Sequence, residues 1–396
     1  MYGLVLYPYY LKEKIKKAGT NYDYEKFLID NNFYSIYSTY YSSYRQNNIA
    51  FLDWGKKPLE VFDIKPELLV NKFGNGIQKT INLIFAARKI NIILLSLAVV
   101  TTYLIYLKLS NVFIASFGAV IYGFNYFIIT SGLRAQSEGL FLTLFNIALL
   151  FLILFLCGTK KYFYLALIFS FVTALLTQTK LNGIMLLFCF DLLFVSKIIY
   201  FFITGDKNIK IFRLVSLFLM VNILTVFFFI SLHPFLYKNP VGNTIFMYQH
   251  RMREAIKQSQ ELPSPQMPPS LLPSFTSRIA AIYQFSFNVG LMNFLNLNSR
   301  TRLNFQKMSV IFFVLGFIYI FFRIWKQKKI FHPLSFFILS FIMIQLITAN
   351  YLILNIDRYF IYFIIFFNFI IVVGLIFLVK VFYYLFKSLY QSFFYP

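Results

Sequence analysis

Cysteine, histidine and acid are all scarce in this chain, and each scarcity removes a class of function. Its 396 residues include 2 Cys, 3 His and 14 Asp plus Glu. Cys157 and Cys189 both lie inside apolar runs, so there is no disulfide framework, no CxxC pair and no zinc spacing. His233, His250 and His332 are scattered, which leaves no histidine cluster for a metal. No GxGxxG, Walker loop or GxSxG elbow occurs, so the chain carries no motif for driving itself with ATP.

The few acids face 37 Lys plus Arg, a net charge of +23. No basic stripe on a nucleic-acid fold accompanies that excess, and nucleic acid is not an expected partner. The cations instead mark membrane topology next to anionic headgroups. The 53 Phe and 29 Tyr come with abundant Ile, Lys and Asn, as an AT-rich coding sequence gives, and are not read as a stacking platform.

What the chain has in abundance is long apolar runs. Nine of them, at 90–107, 112–129, 139–157, 162–176, 183–203, 212–232, 308–326, 334–353 and 360–379, alternate with short loops. Most reach the length a helix needs to cross a hydrocarbon core of ~30 Å. The run at 162–176 is short and is expected to extend into its flanks. The expected fold is therefore an all-α polytopic membrane helical bundle. Its parts are an outward juxtamembrane region at 1–89, a transmembrane domain at 90–380 with an outward loop at 233–307, and a cytoplasmic amphipathic tail at 381–396.

Loop charge sets the orientation. One side carries Lys108, Lys160, Lys161, Lys197, Lys207, Lys210, Arg213, Arg323, Lys326, Lys328, Lys329, Lys380 and Lys387, with Asp206 as its one acid. The short loops of the other side carry Arg134, Lys180 and Arg358. The positive-inside rule makes the first side cytoplasmic. The loops at 130–138, 177–182 and 354–359 then face outward, at a cell (plasma or inner) membrane. Residues 1–89, with amphipathic helices expected near 23–44 and 58–73, face outward as well. Residues 1–10 are too short for a signal peptide, so this arrangement expects a span upstream of Met1; the alternative is an inverted topology.

The polar residues able to carry chemistry collect at the outward span ends. Arg134 and Glu138 lie four apart on one helix face, Lys180 sits in TQTKLNG, Arg358 and Tyr359 in NIDRYF, and Lys56 and Lys57 in DWGKKPL. Charges at a membrane edge either snorkel, pair structurally or face a cavity. Several cations converging there suit a phosphate-bearing lipid headgroup. In the long loop, residues 243–260 read as a helix carrying His250 and Arg251, followed by the helix-breaking LPSPQMPPSLLPS. That loop reads equally as a substrate gate or as plain surface.

In order, the elements are K-P-L, R-x-x-x-E entering a span, T-K-x-x-G, H-P-F-L-x-x-N-P before a long loop, and R-Y-F before the last span. Over most of residues 50–380 this order resembles the C-type membrane glycosyltransferases, in the branch of protein O-mannosyltransferases and aminoarabinose transferases. The resemblance implies transfer of a sugar from a polyprenyl-phosphate lipid to a protein, lipid or glycan acceptor outside the membrane. It places Lys57, Arg134, Arg358 and Tyr359 near the donor phosphate; from its place on the same outward face Lys180 is expected there too, and His250 and Arg251 are expected as substrate contacts from the loop. Glu138 stands where that family often has Asp, one methylene shorter. The family's catalytic carboxylate lies in the first outward loop, and Asp23 is the residue here that would take its role as general base. The donor is already activated by its phosphate, so no nucleotide pocket is required, and a divalent metal near Glu138 would assist phosphate departure. A non-catalytic lipid-binding relative and a transporter or flippase are the alternative readings, and no internal repeat supports the last.

Overall fold

The structure is a computed structural model that describes residues 77–125, 128–129, 138–157, 162–204, 211–233, 236–261, 272, 274–289, 299–327, 332–351 and 360–394. Among these residues there is no strand. Eleven α-helices follow one another: α1 Ile77–Leu109, α2 Val112–Gly123, α3 Glu138–Cys157, α4 Tyr162–Thr179, α5 Met185–Thr204, α6 Ile211–Ser231, α7 Pro240–Glu261, α8 Phe275–Val289, α9 Ser299–Gln327, α10 Pro333–Tyr351 and α11 Ile364–Phe394. Short 3-10 turns at Leu181–Ile184 and Ile361–Phe363 lead into α5 and α11. Among the described residues seven helices are long and apolar enough to cross a membrane, and two shorter apolar ones, Val112–Gly123 and Phe163–Thr179, occupy the second and fourth of the nine expected spans. The protein is an all-α polytopic membrane helical bundle.

Side-chain contacts give the direction of each helix. Thr143 bonds the Leu94 carbonyl and Asn146 the Ala98 carbonyl and Thr102 hydroxyl, so α3 runs parallel to α1. Between them α2 runs the other way: Gly118 lies on the Tyr106 ring and Gly123 on Val99. The Lys197 ammonium reaches the Leu156 carbonyl, making α5 parallel to α3. Ser170 bonds Val221 O and Gln178 bonds Phe229 O, which makes α6 parallel to α4. Glu138 accordingly marks one end of the bundle. Lys108, Lys197, Arg213, Arg323 and Lys326 gather toward the other, where α1, α5 and α9 end and α6 begins.

Burial ranks the helices. The apolar stretches of α3, α10 and α11 are 61%, 61% and 78% buried, whereas those of α6 and α9 are 22% and 28% buried. The first group is the centre, and the second shows its apolar side chains to lipid, which satisfies them as well as a protein core does. Residues 360–374 are buried without interruption. There α11 crosses α9 at backbone contact: a Cβ on Gly316 would be driven into the Ile370 carbonyl, and one on Gly374 into the Phe312 carbonyl.

Several elements differ from the expected outline: α1 begins at Ile77 and α9 at Ser299, earlier than the apolar runs at 90 and 308. The run at 112–129 is one helix only as far as Gly123, because Asn125 starts a new turn, its side chain and carbonyl accepting from the Ile128 and Ile129 N–H groups. The loop at 233–307 is largely helical. It contains α7, which starts at Pro240 with Asn239 accepting from the Gly242 N–H, and then α8, which the sequence did not announce. At the far end α11 continues as helix from the bundle through Phe394.

Candidate functional site

Two of the motif residues meet at the Glu138 end. The Lys180 ammonium donates to the Glu138 carboxylate at 3.0 Å, joining side chains that are 16% and 4% exposed and 42 residues apart in the chain. Glu138 is the first residue of α3, where the helix dipole favours a negative charge. Its neighbour Gly139 lets α3 close on Asn91 of α1, since a Cβ there would stand 2.5 Å from the Asn91 Oδ1. Lys180 lies between α4 and the following 3-10 turn in extended backbone, φ −150 and ψ 133. Its N–H donates to Leu176 O and its carbonyl accepts from the Gly183 N–H, so the TKLNG sequence forms a tight corner with the lysine at its apex.

Aromatic and hydroxyl groups from α3, α10 and the turn before α11 adjoin this pair. The Lys180 ammonium lies 5.3 Å from the centroid of the Phe141 ring, a cation–π distance. Phe141 packs edge-on against Tyr362 at 6.0 Å. The Tyr362 hydroxyl pairs with that of Thr348 at 2.9 Å, and Thr348 also touches the Met185 sulfur at 3.3 Å. The charge pair thus sits on a rigid floor made by α3, α5, α10 and the turn before α11.

Arg278 organises the same end from α8. Its guanidinium donates to Ala349 O at 3.0 Å, Asn350 O at 2.8 Å and Leu272 O at 3.0 Å. It therefore caps the C-terminus of α10 with the positive charge that a helix end prefers. Phe285, two turns along α8, packs on Phe360 at 5.6 Å. Neither Arg278 nor Tyr362 stood out in the sequence. An arginine among Ser, Thr and Ala carries no motif, and Tyr362 is one aromatic residue among many.

His250 is placed elsewhere. It lies exposed on α7 with its ring stacked 6.1 Å from Phe246. Arg251 belongs to the same helix, with its side chain outside the described residues, as are Asp23, Lys57, Arg134, Arg358 and Tyr359. Among the described residues no three His, Cys, Asp or Glu side chains come together to hold a metal ion. Glu138, the carboxylate expected nearest a metal, is engaged by a lysine, which is not the oxygen-rich donor set a hard cation takes. No protein-family model, curated protein or solved structure matches the chain.

Proposed function

We propose that the protein is a membrane glycosyltransferase that moves a sugar from a polyprenyl-phosphate lipid to a protein, lipid or glycan acceptor on the outer face of the membrane. The observation that supports it best is the buried Lys180–Glu138 pair, in which two separate motif elements supply a cation and a carboxylate at one bundle end. Such a transfer needs both groups. The bond from the sugar's anomeric carbon to the phosphate oxygen breaks, and its electron pair leaves on the phosphate, where a cation stabilises it. A new bond forms from the acceptor oxygen or nitrogen to that carbon, and a carboxylate takes the acceptor's proton. At rest Lys180 and Glu138 neutralise each other. A donor phosphate competes for the ammonium, and the released carboxylate joins Asp23 as a candidate proton acceptor.

The purified chain in liposomes, supplied with polyprenyl-phosphate hexoses and a hydroxyl acceptor, tests this by the release of free polyprenyl phosphate. Lys180→Ala and Glu138→Gln are each expected to lower that release about 100-fold or more. Unchanged release in either variant removes that residue from the site. Binding of polyprenyl phosphate without any release by the intact protein would favour a non-catalytic lipid-binding role.

A further inference from the structure

Asp191 stands apart from everything above. It lies nine residues from the start and twelve from the end of the 22-residue span Asn182–Ile203, close to the membrane midplane. Among the described residues its one polar partner is Asn222 of α6, whose amide donates to it at 2.9 Å and also to Phe218 O. Both side chains are partly exposed, on the seam between α5 and α6. A carboxyl group at that depth is costly and usually faces a cavity or a counter-charge.

The seam around it is aromatic beneath and apolar at its sides. The Phe190, Phe194 and Phe218 rings stack beneath the seam. Ser196 and Ser216, both exposed, lie on the same stretch of the two antiparallel helices and return their hydroxyls to their own backbones, leaving small, already satisfied surfaces. Leu192 and Ile223, 47% and 65% exposed, form the two apolar sides. A polar anchor in a lipid-facing apolar seam can hold a further transmembrane helix through an interhelical bond.

Charge selects the occupant. In the described spans the cation nearest this depth is Lys197, six residues from Asp191, and its ammonium is buried against the Leu156 carbonyl, so the described lipid-facing surface of a second copy would bring another carboxyl to this depth and no cation. We propose that the α5–α6 seam is a lateral docking site for one transmembrane helix of another protein, carrying a single lysine or arginine near its midpoint to pair with Asp191.

The test uses the full chain, donor-labelled at its C-terminus, in nanodiscs with an acceptor-labelled Leu-Ala helix of bilayer length. One version of the helix has a central lysine and the other a central leucine. Energy transfer should show the lysine helix bound about tenfold or more tightly than the leucine helix. Asp191→Asn should erase that difference, and Asp191→Lys should restore selectivity toward a helix with a central aspartate. Equal binding of both helices to the wild-type chain overturns the proposal. So does Asp191-dependent pairing of two copies in place of the lysine helix, which would assign the seam to self-association.

Discussion

At the scale of single residues the Lys180–Glu138 pair decides most. With Glu138 only 4% exposed, replacing Lys180 takes from a nearly buried carboxylate the ammonium that donates to it at 3.0 Å. Breaking such a pair from one side costs about 3–5 kcal/mol, whereas removing both charges costs far less. Lys180→Met should therefore lower the unfolding midpoint in mild detergent sharply, and adding Glu138→Gln should recover most of the loss. The same double variant should stay inactive in sugar transfer, because the transfer chemistry needs both charges. A double variant that regains both stability and turnover would show the pair to be structural only. Arg278 offers a second residue-scale test. Arg278→Ala takes three hydrogen bonds from the Leu272, Ala349 and Asn350 carbonyls. Amide exchange should then quicken in 275–289 and at the end of α10 while the central spans stay protected. Unchanged exchange there would mean that the apolar face of α8, with Ile282 fully buried, holds it without the cap.

At the scale of elements, the crossing of α9 and α11 is the most demanding contact. Cβ atoms at Gly316 and Gly374 would meet backbone carbonyls, which cannot turn aside, whereas one at Gly123 meets the Val99 methyl groups at 3.2 Å and can be accommodated by a small shift. Gly316→Ala and Gly374→Ala should each destabilise the bundle by about 1–3 kcal/mol or more, and Gly123→Ala by clearly less. Thermal unfolding of the three variants in one detergent checks the ranking, and equal midpoints would refute it. The positions of the spans were readable in advance because an apolar run of sufficient length has few fates other than crossing a bilayer. Their ranking from centre to edge was not. A lipid-facing helix is as apolar all round as a buried one, so α6 and α11 read alike although one is the outermost span and the other the core. The span-end charges were visible for the same reason: a charge next to an apolar run is conspicuous. That Glu138 would meet Lys180 in particular was not visible, since the meeting depends on the parallel and antiparallel order of α1, α3 and α4. The α8 helix escaped because it follows a proline-rich stretch and is too short to be a span.

At the scale of the whole molecule, the order of the helices sends Lys108, Lys197, Arg213, Arg323, Lys326, Lys380 and Lys387 to one end and Glu138 with Lys89, Lys180 and Arg278 to the other. A bilayer with an anionic inner leaflet and an inside-negative potential attracts each cation to the cytoplasmic side, at about 1 kcal/mol per Lys or Arg near the surface. An orientation with this end outward would carry Lys108, Lys197, Arg213, Arg323, Lys326, Lys380 and Lys387 outward together, so the preference is additive even though each term is small. Ser110, in the turn between α1 and α2, lies at the cation end, and Ser231, the last residue of α6, lies at the Glu138 end. In a background with Cys157 and Cys189 replaced by serine, Ser231→Cys should react with a membrane-impermeant maleimide in intact cells. Ser110→Cys should react only after permeabilisation. The reverse pattern would place the Lys180–Glu138 pair on the cytoplasmic side. Transfer from a lipid-linked donor outside would then be impossible, because the one site assembled by the described helices would face the wrong compartment. This labelling separates the orientation from the chemistry: an inactive but correctly oriented protein would point to lipid binding without turnover.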